Sequence, residues 1–155
     1  MAAVAGLVAV TVWTPRPGLM WNASASMPVG LYAVERVSRV GRGDVVAAAL
    51  PPAARGLAAA RGYLPEGVPL LKRVAAVPGD RICGGEAGLV INGVLAARRR
   101  ERDSLGRPLP AWRGCGVLLT GLVLLGDSAN SFDARYFGPV DEHLLIGSAR
   151  LIWRR

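Results

Sequence analysis

Lys72 is the only lysine among the 19 lysines and arginines of this chain. Arginine stays protonated in a protein, whereas a lysine becomes a neutral amine once burial lowers its pKa. Lys72 sits in Leu70-Leu71-Lys72-Arg73-Val74, an apolar run with an arginine beside it. Two readings stand: codon chance in an Arg-rich chain, or a position that requires a proton acceptor. A lysine base needs a hydroxyl nucleophile held against it. Ser26 is the candidate, in Asn22-Ala23-Ser24-Ala25-Ser26-Met27-Pro28. Small side chains at Ala23 and Ala25 let a substrate backbone approach closely. Ser24 offers a hydroxyl donor beside the Ser26 N–H, and two donors are what a developing oxyanion requires. Read locally, these serines are also ordinary loop residues.

The elements that must bring Ser26 and Lys72 together are short and closely punctuated. The 155 residues form one domain, or one domain with a small insert. Twenty Gly and 11 Pro favour many short elements joined by turns. Strands are expected over Leu31–Val37, Val45–Leu50, Val68–Val77 (carrying Lys72) and Leu144–Trp153, with one long strand over Val117–Leu125 interrupted by Gly121. Asn92-Gly93 between Leu89–Ile91 and Val94–Leu95 is a hairpin signal. Pro51-Pro52 starts one short helix, Ala53 to Arg61, that Gly62 ends. The pattern is mainly β, a barrel or sandwich.

Met1 to Trp13 is uncharged and almost wholly apolar. As a helix it would reach about 20 Å, short of a bilayer core of about 30 Å. A membrane anchor whose true start lies upstream is the favoured reading; a short signal-like segment and a buried helix are the others. Trp21, in the apolar patch Leu19-Met20-Trp21, suits a membrane interface. Arg98 to Asp103 is expected to be a solvated loop, with lipid-headgroup contact as the sharper alternative. The net charge of +8 is compatible with nucleic acid, acidic lipid or nothing specific.

Other chemistries find few residues. The only histidine, His143, would have to serve any Ser-His-Asp triad, and its polar turn reads as surface or structural. One His and two Cys cannot fill a four-ligand zinc site without carboxylates. Cys83 and Cys115 fit one disulfide in an oxidising compartment, or two unrelated buried thiols.

Three separated motifs then occur in order: Ser24-Ala25-Ser26-Met27-Pro28; Leu71-Lys72-Arg73-Val74 running into Pro78-Gly79-Asp80; and Gly126-Asp127-Ser128-Ala129-Asn130-Ser131-Phe132-Asp133-Ala134-Arg135. Together they resemble the signal peptidase I superfamily of Ser-Lys proteases. Asn22 through Tyr32, Arg61-Gly62-Tyr63-Leu64-Pro65 and Gly106-Arg107-Pro108-Leu109-Pro110 with Trp112 most resemble its TraF-type conjugative-transfer peptidases. The resemblance implies a signal-peptidase-like β core over 19–155, a small inserted β-rich subdomain at 81–117, and a membrane segment at 1–14.

It implies Ser26 as nucleophile, Lys72 as general base and Ser24 as oxyanion-hole hydroxyl. It implies Ser131 as the group orienting the amine, Asp133 and Arg135 as a structural ion pair beneath the site, and a Cys83–Cys115 disulfide. No cofactor or metal is implied. The expected partners are a preprotein or propilin substrate and membrane lipid, without nucleic acid. The catalytic domain is expected on the extracytoplasmic side of a bacterial inner membrane.

The expected activity is cleavage after small residues in conjugative transfer or pilus maturation, with pilin cyclisation as one outcome of acyl transfer. A general type I signal peptidase is the close alternative. A self-cleaving repressor lacks a helix-turn-helix here. A basic nucleic-acid-binding barrel predicts aromatics interleaved with arginine, and Arg98–Arg102 contains none.

Overall fold

The computed structural model describes residues 18–36 and 39–155. The expected N-terminal membrane segment, 1–14, lies outside the described residues, as does Val37 at the end of one expected strand. The chain is mainly β, as expected, and among the described residues ten strands form two antiparallel sheets. The larger has the order β1-β2-β10-β3-β4-β9, built from β1 (Gly18–Asn22), β2 (Gly30–Glu35), β10 (Leu145–Arg154), β3 (Val45–Ala48), β4 (Leu70–Ala76) and β9 (Val123–Leu125). The smaller has the order β7-β6-β5-β8, from β7 (Val94–Arg98), β6 (Gly88–Ile91), β5 (Arg81–Gly85) and β8 (Gly114–Val117).

The expected strand over Val117–Leu125 is instead two strands in different sheets. Gly121 has φ +80, and a Cβ there would come within 2.6 Å of the Val140 carbonyl oxygen. Apolarity over the whole stretch concealed the break: Val117 and Leu119 are exposed, while Leu118 and Leu122–Leu125 reach the cores. The chain thus leaves the large sheet after β4, builds the small sheet, and returns at β9. Ala76, Ile82, Leu89, Leu118, Val123, Leu125 and Ala134 are buried together where it crosses.

The small sheet follows from local chemistry. Asn92 and Gly93 both have positive φ, 50 and 83, which suits the tight turn of the β6–β7 hairpin. The Asn92 side chain accepts from the Arg81 N–H at 2.8 Å and donates to buried Asp80 at 2.7 Å. Cys83 and Cys115 are opposite one another in the β5–β8 register and are joined as a disulfide. The Trp112 ring lies over Gly84, Gly114 and Gly138, where any Cβ would overlap it.

The expected helix is α1 (Pro52–Arg61), with Pro51 as its N-cap and Gly62 closing it in the left-handed conformation. Ala54 and Ala58, one turn apart, bury against Leu50 and Leu70. The expectation of a single helix is corrected by a one-turn α2 (Ala134–Phe137) and a 3-10 turn over Glu142–Leu144. Both are too short to show a helical period in the sequence. Leu19-Met20-Trp21, expected only as an apolar patch, lies within strand β1, paired with β2 from Gly18↔Val34 to Asn22↔Gly30.

Candidate active site

The loop between β1 and β2 carries Ser26, and side chains on both flanks fix it. Asn22, only 8% exposed, donates through Nδ2 to the carbonyls of Ser24, Met27 and Pro28 at 2.9, 3.2 and 3.0 Å. Its Oδ1 accepts from the Ser24 N–H at 3.1 Å. Met27, next to Ser26, is buried with Tyr32, Leu71 and Ala149. The Tyr32 hydroxyl donates to the Pro28 carbonyl at 2.8 Å. Asn22 and Tyr32 were legible only as motif letters. Their function as clamps requires a loop that folds back on its own strand.

Lys72 is the third residue of β4, opposite Val46 of β3. Its side chain is 5% exposed, and Nζ lies 2.7 Å from Ser26 Oγ. Burial is the chief cause that lowers the Lys72 pKa to about 8; Asp133 pulls it up, Arg135 pushes it down and Asp127 pulls it up. The helpful cation is therefore Arg135, from a distant segment, and not the adjacent Arg73. Successive strand residues point to opposite faces. Arg73 turns away and forms a two-pronged pair with Asp127, both bonds 3.0 Å.

Ser24 Oγ donates to Ser26 Oγ at 3.0 Å and accepts from the Ser26 N–H at 3.2 Å. Both expected oxyanion donors thus lie beside Ser26 Oγ, the N–H engaged by Ser24 Oγ and the Ser24 hydroxyl by Ser26 Oγ. A substrate carbonyl oxygen entering there would take over both donors.

Beneath Ser26 lies the Gly126–Arg135 segment. The Asp127 N–H donates to the Ser26 carbonyl at 2.7 Å, and the Gly126 N–H to Asp133 at 2.9 Å. Gly126 is wedged so tightly that a Cβ would overlap Ser131 Oγ and come within 2.9 Å of the Ser26 carbonyl oxygen. Asp133 and Arg135, 0% and 3% exposed at their side chains, form an ion pair at 2.7 Å. The guanidinium also donates to the carbonyls of Arg98, Ala129, Ser128 and Ser131, each at 3.1 Å. Five acceptors therefore satisfy its fork, which lysine cannot match.

Ser131 lines the same cavity as Lys72, and its buried Oγ has no hydrogen-bond partner. The expected bond from Ser131 to the amine is thus not among those formed here. A buried orphan hydroxyl costs free energy unless something completes it.

Ser24, Ser26, Lys72 and Ser131 share a cavity of about 520 Å³, walled by β1, the Tyr63–Leu71 segment, the strap after β7 and the Ser128–Phe132 turn. His143 is elsewhere, 72% exposed in the 3-10 turn, so a Ser-His-Asp arrangement at Ser26 is excluded. Arg98, Arg100, Glu101 and Arg102 are exposed, as expected of a solvated loop, whereas Arg99 and Asp103 are not. The side chain of Arg99 is 5% exposed and pairs with Glu86; that of Asp103 is 6% exposed and holds Tyr63 at 2.5 Å and Arg107 at 2.7 Å. Charge alone could not show that partners arrive from α1 and beyond.

Residues 1–154 match the family described as signal peptidase, peptidase S26. The chain belongs to the peptidase S26 family. It is 39% identical to a conjugal transfer protein TraF of Agrobacterium fabrum, covering 97% of this chain and 92% of that one. It is 34% identical to a plasmid transfer protein TraF of Escherichia coli, covering 88% and 84%. Membership in the S26 family makes the protein a serine-type peptidase with a protein substrate. Within it, a buried amine against a serine hydroxyl is an arrangement capable of acyl transfer without histidine, metal or cofactor.

Proposed function

We propose that this S26 protein is a membrane-associated endopeptidase working through a Ser26–Lys72 dyad, and that it matures exported or pilin-like precursors for conjugative transfer. The observation that carries the reading is the 2.7 Å approach of Lys72 Nζ to Ser26 Oγ, by an amine whose pKa is lowered to about 8. Neutral Nζ takes the Ser26 proton as Oγ bonds to the scissile carbonyl carbon. The Ser26 N–H and the Ser24 hydroxyl donate to the resulting oxyanion. The Lys72 ammonium then protonates the leaving amine as the C–N bond breaks. Water, or an amine within the substrate, attacks the ester and frees Ser26; the second route cyclises the product. Ser131 accepts a hydrogen bond from the ammonium during the cycle, which gives its orphan hydroxyl a partner.

The relatives' names support the conjugative setting, and small residues at Ala23 and Ala25 beside the nucleophile suit small side chains before the scissile bond. A disulfide in the small sheet supports an extracytoplasmic catalytic domain. Among the described residues no helix is long and apolar enough to cross a membrane; the uncharged, apolar sequence of residues 1–13 is what supports membrane association. The test is the intact mass of a pilin-like precursor co-expressed with the protein. The wild type shortens the precursor. Ser26→Ala, Lys72→Ala and Lys72→Arg leave it full length, a loss of at least about 10³-fold, with far-UV circular dichroism unchanged. Normal processing by Lys72→Arg would overturn the dyad, since arginine keeps the charge and cannot act as a base.

A further inference from the structure

The strap between β7 and β8 carries four arginines along Arg99–Arg107, and they divide sharply by partner. Arg99 pairs with Glu86, and Arg107 with Asp103. Arg100 and Arg102 have no carboxylate partner among the described residues, and these are the two that line the cavity holding Ser26 and Lys72. Arg100 donates to the side-chain oxygen of Asn130 at 2.5 Å, and Arg102 to the Gly106 carbonyl at 2.7 Å. These acceptors are neutral and leave the charge of both exposed guanidinium groups uncompensated.

Asp103 is the one acidic residue lining that cavity. Its carboxylate is spent on Tyr63, Arg107 and the Leu105 and Arg107 N–H groups, and these bonds hold its pKa well below the usual carboxylate range against the opposing effect of burial. The wall is therefore basic at the strap and apolar toward Leu64, Val68 and Leu71. The strap is anchored at both ends. The Arg100 N–H donates to the buried Tyr136 hydroxyl at 3.2 Å, and the Trp112 N–H to the Arg135 carbonyl at 3.2 Å. Two exposed guanidinium groups without carboxylate partners, on the wall of a partly apolar cleft, suit recognition of a carboxylate in the bidentate fashion that arginine favours.

We propose that Arg100 and Arg102 form a carboxylate-recognising subsite, so that the protein selects substrates carrying an acidic group within a few residues of the scissile bond. This rests on the peptidase reading of the same cavity. The carboxylate is either an Asp or Glu side chain or the substrate's own C-terminus, and the experiment separates the two.

The probe is a set of quenched fluorescent Ala-rich peptides with one Glu or one Gln stepped through the four positions on each side of a central Ala-Ala bond. Each is made with a free and an amidated C-terminus. Wild type cuts the Glu peptide at one position about tenfold faster in kcat/KM than its Gln twin. That ratio falls to near one in the Arg100→Gln/Arg102→Gln double variant and survives in Arg81→Gln/Arg150→Gln, which removes the same two charges from exposed positions on β5 and β10. An Arg100- and Arg102-dependent preference for the free C-terminus, with none for Glu, assigns the subsite to the terminal carboxylate. Anisotropy of the same peptides bound to Ser26→Ala reads the preference without turnover. Equal binding of every carboxylate peptide and its neutral twin, or a preference that persists in the double variant, overturns the subsite. Absence of Ser26-dependent cleavage while the binding preference remains would instead count against the peptidase reading alone.

Discussion

At the scale of the residue, burial converts an ordinary lysine into a base. Moving its pKa from 10.5 to about 8 raises the neutral fraction at pH 7 by about 300-fold, to roughly a tenth of the molecules. In the proposed Ser26–Lys72 dyad the base is the neutral amine, so kcat/KM should rise as pH climbs through about 8 and level above it. A pH–rate profile on a cleaved peptide checks this. A profile still climbing with unit slope to pH 10 would mean that Lys72 titrates as an exposed lysine. Ser24 and the Ser26 N–H make a comparable economy of parts, the N–H engaged by Ser24 Oγ and the Ser24 hydroxyl by Ser26 Oγ until a substrate oxygen arrives.

At the scale of the element, the turn from Gly126 to Asp133 and the helix turn α2 behave as a plug below the dyad. Asp133 caps α2 by accepting from the Arg135 N–H at 3.3 Å and also reaches the Gly126 N–H. One carboxylate therefore ties the helix turn to the backbone that supports Ser26. Replacing Arg135 leaves that carboxylate buried and unpaired, which typically costs about 3–5 kcal/mol. Arg135→Met should accordingly lower unfolding free energy by about that amount in a urea titration. Arg135→Lys should recover only part of it, because an ammonium cannot reach the Asp133 carboxylate and four carbonyls together. A loss below about 1 kcal/mol would show the pair to be replaceable.

At the scale of the whole molecule, the large sheet carries the dyad and the small sheet supplies the strap that walls its cavity. The Cys83–Cys115 bond closes a loop of 32 residues that contains the β6–β7 hairpin and the strap. In the chain-entropy description a loop of that length contributes about 3–4 kcal/mol. The Cys83→Ser/Cys115→Ser variant, or the wild type after reduction, should lose about 2–4 kcal/mol in denaturant unfolding. Alkylation without prior reduction should leave the mass unchanged; a gain of two alkyl groups would show free thiols. The cavity wall is expected to loosen with the bond, because β8 follows the strap directly.

The residues themselves determined the mainly β character, the Asn-Gly hairpin, the span of α1, and a lone lysine in an apolar run. Each of these rests on local chemistry: period, turn geometry, caps, and the difference between an amine and a guanidinium. The motif order extended that to the family. Tertiary structure alone decided that Val117–Leu125 divides between two sheets and that Arg135, instead of Arg73, is the cation acting on Lys72. It alone decided that Asn22 clamps the nucleophile loop and that Arg100 and Arg102 face the cavity while Arg99 and Arg107 do not. In each case the partner is remote in sequence, and a side chain's electrostatic surroundings and exposure are set by what packs against it in space.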